Sequence, residues 1–182
     1  MVNKRGFIHV YTGDGKGKTT SSIGMAMRAI GADKRVAIVF FDKAGDFYSE
    51  RKLIDQRLSD AVDYWVCGRQ RFQPRINEFD MSITDEDRFE ARRGIEIASD
   101  IMAKAEHDLL ILDELNSVLH QELVNLALVL DLLSKKPSSL ELVLTGRNAQ
   151  PEIMQAADLV TDMRSVKHYM EQGILARRGI DY

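Results

Sequence analysis

Three glycines at alternate positions, Gly13, Gly15 and Gly17, stand directly before Lys18 and Thr19 in Val10-Tyr11-Thr12-Gly13-Asp14-Gly15-Lys16-Gly17-Lys18-Thr19-Thr20. Glycine lets a backbone approach phosphate oxygens closely. Successive N–H groups at a helix start then supply donors and partial positive charge. These residue types point to nucleotide phosphate binding by Gly13, Asp14, Gly15, Lys16, Gly17, Lys18, Thr19 and Thr20. Lys18 reaches the phosphates in this reading, and Thr19 offers its hydroxyl to Mg²⁺. The usual Gly-x-x-x-x-Gly-Lys-Thr spacing needs a glycine where Thr12 stands. The nearest is Gly13, so the loop is one residue short. A dinucleotide fingerprint fits worse, because its third glycine falls at Thr20.

Two further constellations belong to the same chemistry. Asp108-Leu109-Leu110-Ile111-Leu112 is an apolar run that ends in Asp113-Glu114. Behind a phosphate loop, such a pair is expected on the metal side, with Thr19, Asp113 and Glu114 around Mg²⁺. Leu140 to Leu144 is followed by Thr145-Gly146-Arg147-Asn148. Arg147 at a strand tip pairs with phosphate through its planar fork. The four histidines show no metal-ligand spacing, no Gly-x-Ser-x-Gly elbow occurs, and Cys67 has no histidine near it.

The elements that must position these residues are legible as periodicity. Phe7 to Tyr11, Arg35 to Phe41, Ala61 to Val66, Asp108 to Leu112, Leu140 to Leu144 and Asp158 to Met163 read as strands. Helices are expected over Thr20 to Ile30, Tyr48 to Leu58, a long segment capped by Thr84, Leu123 to Leu133 and Glu152 to Ala157. Continuous apolar strands alternating with helices imply a parallel sheet covered on both faces. Ligands bind at the carboxyl edge of such sheets, where Asp42-Lys43-Ala44-Gly45-Asp46 follows the second strand. Cys67 to Thr84 is irregular and carries Arg69, Arg71, Arg75, Phe72 and Phe79. A functional loop and a solvated one are both open readings of it. A tail carries Lys167, His168, Arg177 and Arg178.

The chain of 182 residues is long enough for one domain, 1–182, with a real core. A formal net charge of -3 supplies no general attraction for nucleic acid. One cysteine, Cys67, excludes an internal disulfide and suits a reducing compartment. No apolar run approaches the ~20 residues of a membrane span, and Met1 to Gly6 is too short and polar for a signal peptide. A cytoplasmic protein is expected.

Taken together, these motifs resemble the ATP:corrinoid adenosyltransferase family. The similarity runs over nearly the whole chain and is carried by Tyr11–Thr20, Ala29-Ile30-Gly31, Leu110–Asn116, Val143-Leu144-Thr145-Gly146-Arg147-Asn148-Ala149, Ala156–Thr161, Val166-Lys167-His168, Gly173-Ile174 and Gly179-Ile180. The shortened phosphate loop is itself a family feature, and Leu-Thr-Gly-Arg-Asn is fairly specific. The resemblance implies an α/β, three-layer RecA-like P-loop fold with a mostly parallel central sheet. It implies a homodimer and a flavoprotein reductant as partners, with no nucleic acid and no membrane. ATP then lies reversed in the loop, with its ribose 5′-carbon presented to a cob(I) corrinoid, and triphosphate leaves. Lys18 and Arg147 take the catalytic role of neutralising that leaving group, and Asn148 joins the ATP contacts. One segment departs from the family. Its usual Gly-Phe-Thr-Trp after the third strand, whose aromatics pack on the corrinoid, is here Cys67-Gly68-Arg69-Gln70-Arg71-Phe72-Gln73-Pro74. Phe72, with Trp65 just upstream, is therefore assigned to the corrinoid side. That side is expected to be a lid, with its arginines facing the corrinoid, that orders when ligand binds. Two alternatives remain open on the residues alone: a RecA-like ATP-binding switch or ATPase without corrinoid activity, and a module that holds ATP and presents the basic loop to a partner.

Overall fold

The structure, a computed structural model, describes residues 5–46, 48–73, 78–80 and 82–182. It begins with β1 (Ile8–Thr12), followed by α1 (Lys18–Ile30) and β2 (Val36–Phe41). A short α2 (Ser49–Leu53) runs on into one π-helical turn, Ile54–Leu58, before β3 (Val62–Cys67). Two-residue strands β4 (Phe72–Gln73) and β5 (Glu78–Phe79) pair antiparallel. The long α3 (Asp85–Lys104) leads to β6 (Leu109–Asp113), α4 (Leu115–His120), α5 (Leu126–Ser134) and β7 (Glu141–Thr145). Then come α6 (Pro151–Ala156), β8 (Leu159–Asp162) and a 3₁₀ turn, Tyr169–Gln172.

The main sheet has six strands in the order β3-β2-β6-β7-β1-β8, and every pairing in it is parallel. All residues of β2 and β6 are buried, as expected of central strands with helices on both sides. Alternate residues divide between two cores. Ala37, Val39, Phe41, Leu110 and Leu112 face α3, with Val118 and Leu119 of α4 and Ile153 of α6. Ile38, Phe40, Ile111 and Val143 face the other way, with Ala26 of α1. This α/β arrangement is consistent with a RecA-like P-loop fold. The expected parallel sheet is present, with every pairing parallel.

All six expected strands are present, within a residue or two at their ends. The helix expected over Leu123 to Leu133 starts three residues later, as α5 capped by Asn125, and a separate short helix, α4, precedes it. The capping box at the start of α3 is complete, with Thr84 and Asp87 bonding each other's backbone. Because the strands are parallel, their carboxyl ends lie on one edge. That edge collects the turns after β1, β2, β3, β6 and β7.

α3 lies against the sheet at Gly94, where an added Cβ would stand 2.4 Å from Cε1 of the fully buried Phe41 ring. Gly94→Leu gains about 1 kcal/mol of helix propensity. Overpacking against a closed core costs about 1–3 kcal/mol for one extra methyl alone and more for leucine. The expected outcome is a lower urea midpoint; an unchanged midpoint would mean that α3 can lift from the sheet.

Candidate functional site

The turn between β1 and α1 has the backbone that phosphate binding requires. Gly17 is the N-cap of α1 with φ 116°, and no side chain caps the helix. Its first N–H groups therefore face the cleft without a side-chain acceptor. Gly15 meets a second constraint: a Cβ there would lie 2.6 Å from the carbonyl oxygen of Met163, which also accepts the Gly15 N–H at 2.6 Å. The segment after β8 thus backs the loop. Gly13 sits behind the cleft wall, against Asp162 and Met163. Lys18 Nζ folds into the turn and donates to the carbonyls of Gly13 (2.5 Å) and Gly15 (2.8 Å). Burial pushes its pKa down, with Glu114 partly opposing.

Asp14 to Thr20 line one side of a cleft of about 740 Å³, within the ~300–1,000 Å³ of small-molecule sites. Asp42, Lys43, Tyr48, Glu114, Ser117 and Arg147 line it from neighbouring turns. Asp42 and Glu114 both adopt a left-handed backbone (φ 51° and 64°), uncommon for non-glycine residues outside constrained sites. Asp113 lies fully buried beneath the floor. Its Oδ1 accepts from Thr145 Oγ1 at 2.7 Å, and Thr145 Oγ1 accepts the Glu114 N–H at 2.9 Å.

Thr19 and Asp113 converge on one point, marked by the ammonium of Lys43. Its Nζ lies 2.6 Å from Thr19 Oγ1, 2.5 Å from Asp113 Oδ2 and 3.6 Å from Glu114 Oε1. Burial alone disfavours this ammonium, but Asp113 and Glu114 outweigh it and hold the pKa well above the usual lysine range. A hydroxyl and a carboxylate oxygen with a second carboxylate nearby are the hard donors a divalent cation such as Mg²⁺ takes. Among the described residues, no group of three or more His, Cys, Asp and Glu side chains is placed to hold a metal by itself. A cation at this point completes its shell from water and ligand oxygens.

Arg147 is exposed at the rim, its backbone N–H donating to Ser117 Oγ (3.1 Å). Ser117 Oγ in turn donates to Glu114 Oε2 (2.5 Å). Asn148 is exposed with φ 55° and stands outside the cleft lining. The opposite wall is the C-terminal tail, which carried no site residue in the sequence. Lys16 Nζ pairs with Asp181 at 2.8 Å and donates to the Ile180 carbonyl at 2.8 Å. Asp181 also accepts from the Tyr169 hydroxyl and from Arg177. Lys16 and Tyr169 hold its carboxyl well below the usual range. Ser49 Oγ donates to the Tyr182 carbonyl at 3.1 Å. Lys16, expected to face ATP, is thus engaged by the tail, which shares the cleft.

The segment after β3 differs from its expectation. Arg69 and Arg71 turn inward rather than toward a ligand. Arg69 Nη1 donates to Asp80 (2.7 Å) and its Nε to Asp87 (3.0 Å). Arg71 bridges Asp42 Oδ1 (2.5 Å) and Asp87 Oδ1 (2.9 Å) and donates to the Ser82 carbonyl. Buried arginines need such partners, and these are supplied within the fold by Asp42, Asp80 and Asp87. Trp65 is half-buried against the α3-side core and does not line the cleft. The Phe72 side chain, Arg75, and the Phe79 side chain lie outside the described residues. Cys67 is buried, and burial pushes its thiol up to about 11, so it is neutral at pH 7 and not a nucleophile. Among the described residues, no helix is long and apolar enough to cross a membrane.

Comparison with known proteins adds the chemical context. The family model described as ATP:corrinoid adenosyltransferase BtuR/CobO/CobP matches residues 4–182. A Pseudomonas aeruginosa protein named corrinoid adenosyltransferase is 34% identical over 180 residues, covering 99% of this chain and 85% of its own. A Sinorhizobium protein of the same name is 32% identical over 185 residues, covering 100% of this chain and 82% of its own. An uncharacterized Nostoc protein is 35% identical over 185 residues, covering 96% of this chain. The chain spans about half (48%) of that relative's length.

Proposed function

We propose that this chain, which belongs to the ATP:corrinoid adenosyltransferase family, transfers the 5′-deoxyadenosyl group of ATP to the cobalt of a cob(I) corrinoid. The cobalt lone pair forms the Co–C bond as the C5′–O bond breaks, and those electrons leave on triphosphate. The nucleophile comes from the corrinoid, so the protein's task is positioning and charge neutralisation. The helix start at Gly17 and the Lys18 ammonium take phosphate oxygens. Arg147 adds its fork from the rim, with Asn148 beside it. Thr19 and Asp113, with Glu114 nearby, hold Mg²⁺, which supplies further neutralisation of the triphosphate. Asp42, bonded to Arg71, brings the backbone that carries Phe72 beside the cleft, which favours Phe72 over Trp65 as the corrinoid-side aromatic. The same reading takes the chain as one cytoplasmic domain that works as a homodimer with a flavoprotein reductant.

What carries this reading is the meeting of the glycine turn, Thr19 above Asp113, and Arg147 in one cleft, in a chain matched by the family model from 4 to 182. The test is incubation with ATP, Mg²⁺ and chemically reduced cob(I)alamin, following the cobalt–carbon bond by absorbance and the nucleotide products by chromatography. Triphosphate with an adenosylated corrinoid is expected. ADP and phosphate without that bond would make the protein an ATPase instead.

A further inference from the structure

Lys43 reaches both Thr19 and Asp113, the two sides of the cation position. Its stem leaves the turn after β2 and crosses to the end of β6, because those strands are neighbours with Phe40 opposite Asp113. Its side chain is 14% exposed and its Nζ takes Thr19 Oγ1 and Asp113 Oδ2 at once. We infer that Lys43 is an internal counter-ion that occupies the divalent-metal position until nucleotide arrives, so that metal and nucleotide enter the cleft together. The inference rests on the metal site proposed above.

Metal–oxygen distances for Mg²⁺ are about 2.0–2.1 Å, so a metal on these two oxygens would take the place of Nζ. Ammonium and metal therefore exclude each other. Without nucleotide, an entering metal must drive a largely buried ammonium away from Asp113 and Glu114, leaving it without an anion, which is costly. With nucleotide, the triphosphate is a new anionic partner in the same cleft, which Lys43 lines beside Lys18. Displacement then exchanges one anion for another. The consequence is positive coupling between metal and nucleotide, and by linkage it is reciprocal. The ammonium also compensates the buried Asp113, which accepts a hydrogen bond from Thr145 as well.

The test uses Mn²⁺ as probe, with free manganese followed by electron paramagnetic resonance, on the full chain without corrinoid. In the absence of nucleotide, Lys43→Met is expected to bind Mn²⁺ at least about tenfold more tightly than the unaltered chain. Lys43→Gln, which keeps a neutral hydrogen-bonding group, should show a smaller gain and serves if Lys43→Met does not fold. Lys43→Met with Asp113→Asn should lose the gain. Unchanged Mn²⁺ affinity in both Lys43 variants overturns the inference. A separate arm measures Mn²⁺ with ATP in Asp113→Asn alone. If that affinity equals the unaltered chain's, the metal site itself is wrong and the inference falls with it. If it drops while the Lys43 variants show no gain, only the role of Lys43 is wrong.

Discussion

Lys18→Ala is expected to weaken ATP binding about ten- to a hundredfold while leaving the fold intact. Charge-assisted hydrogen bonds of this kind contribute roughly 1.5–3 kcal/mol each. The contacts of Lys18 explain why the effect should appear in binding and not in stability. Lys18 Nζ donates to two carbonyls of its own turn, and among the described residues it makes no ion pair with a carboxylate. Burial therefore disfavours its charge, and the residue contributes little to the fold itself. A triphosphate turns that liability into an attraction. Calorimetric titration with ATP and Mg²⁺, paired with a thermal melt, separates the two. Equal ATP affinity in Lys18→Ala would remove the glycine turn from the nucleotide site. A collapse of the melt would mean that the lysine is structural.

Asp87→Ala is expected to cost about 3–5 kcal/mol, the loss typical of removing one partner of a buried ion pair, out of a total near 5–15 kcal/mol. Asp87 is buried, accepts from Arg69 and Arg71, and closes the capping box of α3 through Thr84. Its loss takes one carboxylate from each of two guanidinium groups, leaving Arg69 on Asp80 and Arg71 on Asp42, and opens the capping box of a helix of 20 residues. Asp87→Asn, which keeps an acceptor for Thr84, should lie between. The pH dependence has a definite sign. Burial pushes the Asp87 carboxyl up, but Thr84 and the two arginines more than offset this and its pKa stays below the ordinary carboxylate value. Its contribution is therefore complete above about pH 4 and fades as pH falls through the folded value. Asp42, on the same Arg71, shifts the other way because burial dominates. The signature of Asp87 is thus the difference between the unaltered chain and Asp87→Ala. That difference, from urea unfolding at several pH values, should shrink below pH 4; a constant difference would mean that folding does not lower the Asp87 pKa.

Local pattern was enough for the strands. Apolar runs separated by helical spacing identify the strands, and the continuous runs of β2 and β6 are the fully buried ones, since a strand covered on both faces has no polar side to show. The glycine turn was equally legible, because Gly13, Gly15 and Gly17 before Lys18 have few other uses. Short elements were not: α4 has six residues and opens on Glu114 at positive φ, so it shows no period. What the sequence could not rank was distance across the sheet. Lys43 is an ordinary charge after a strand until the order β3-β2-β6-β7 places the end of β2 beside Asp113. Thr145 becomes a partner of Asp113 only because Leu112 and Leu144 are in register. Asp181 meets Lys16 across 165 residues of chain. Arg69 and Arg71 read as ligands for a substrate because the acids that hold them, Asp42, Asp80 and Asp87, look in sequence like unrelated surface charges. Periodicity is a local property that each segment carries alone. Charge pairing depends on which strands become neighbours and in what register, and only the folded sheet decides that.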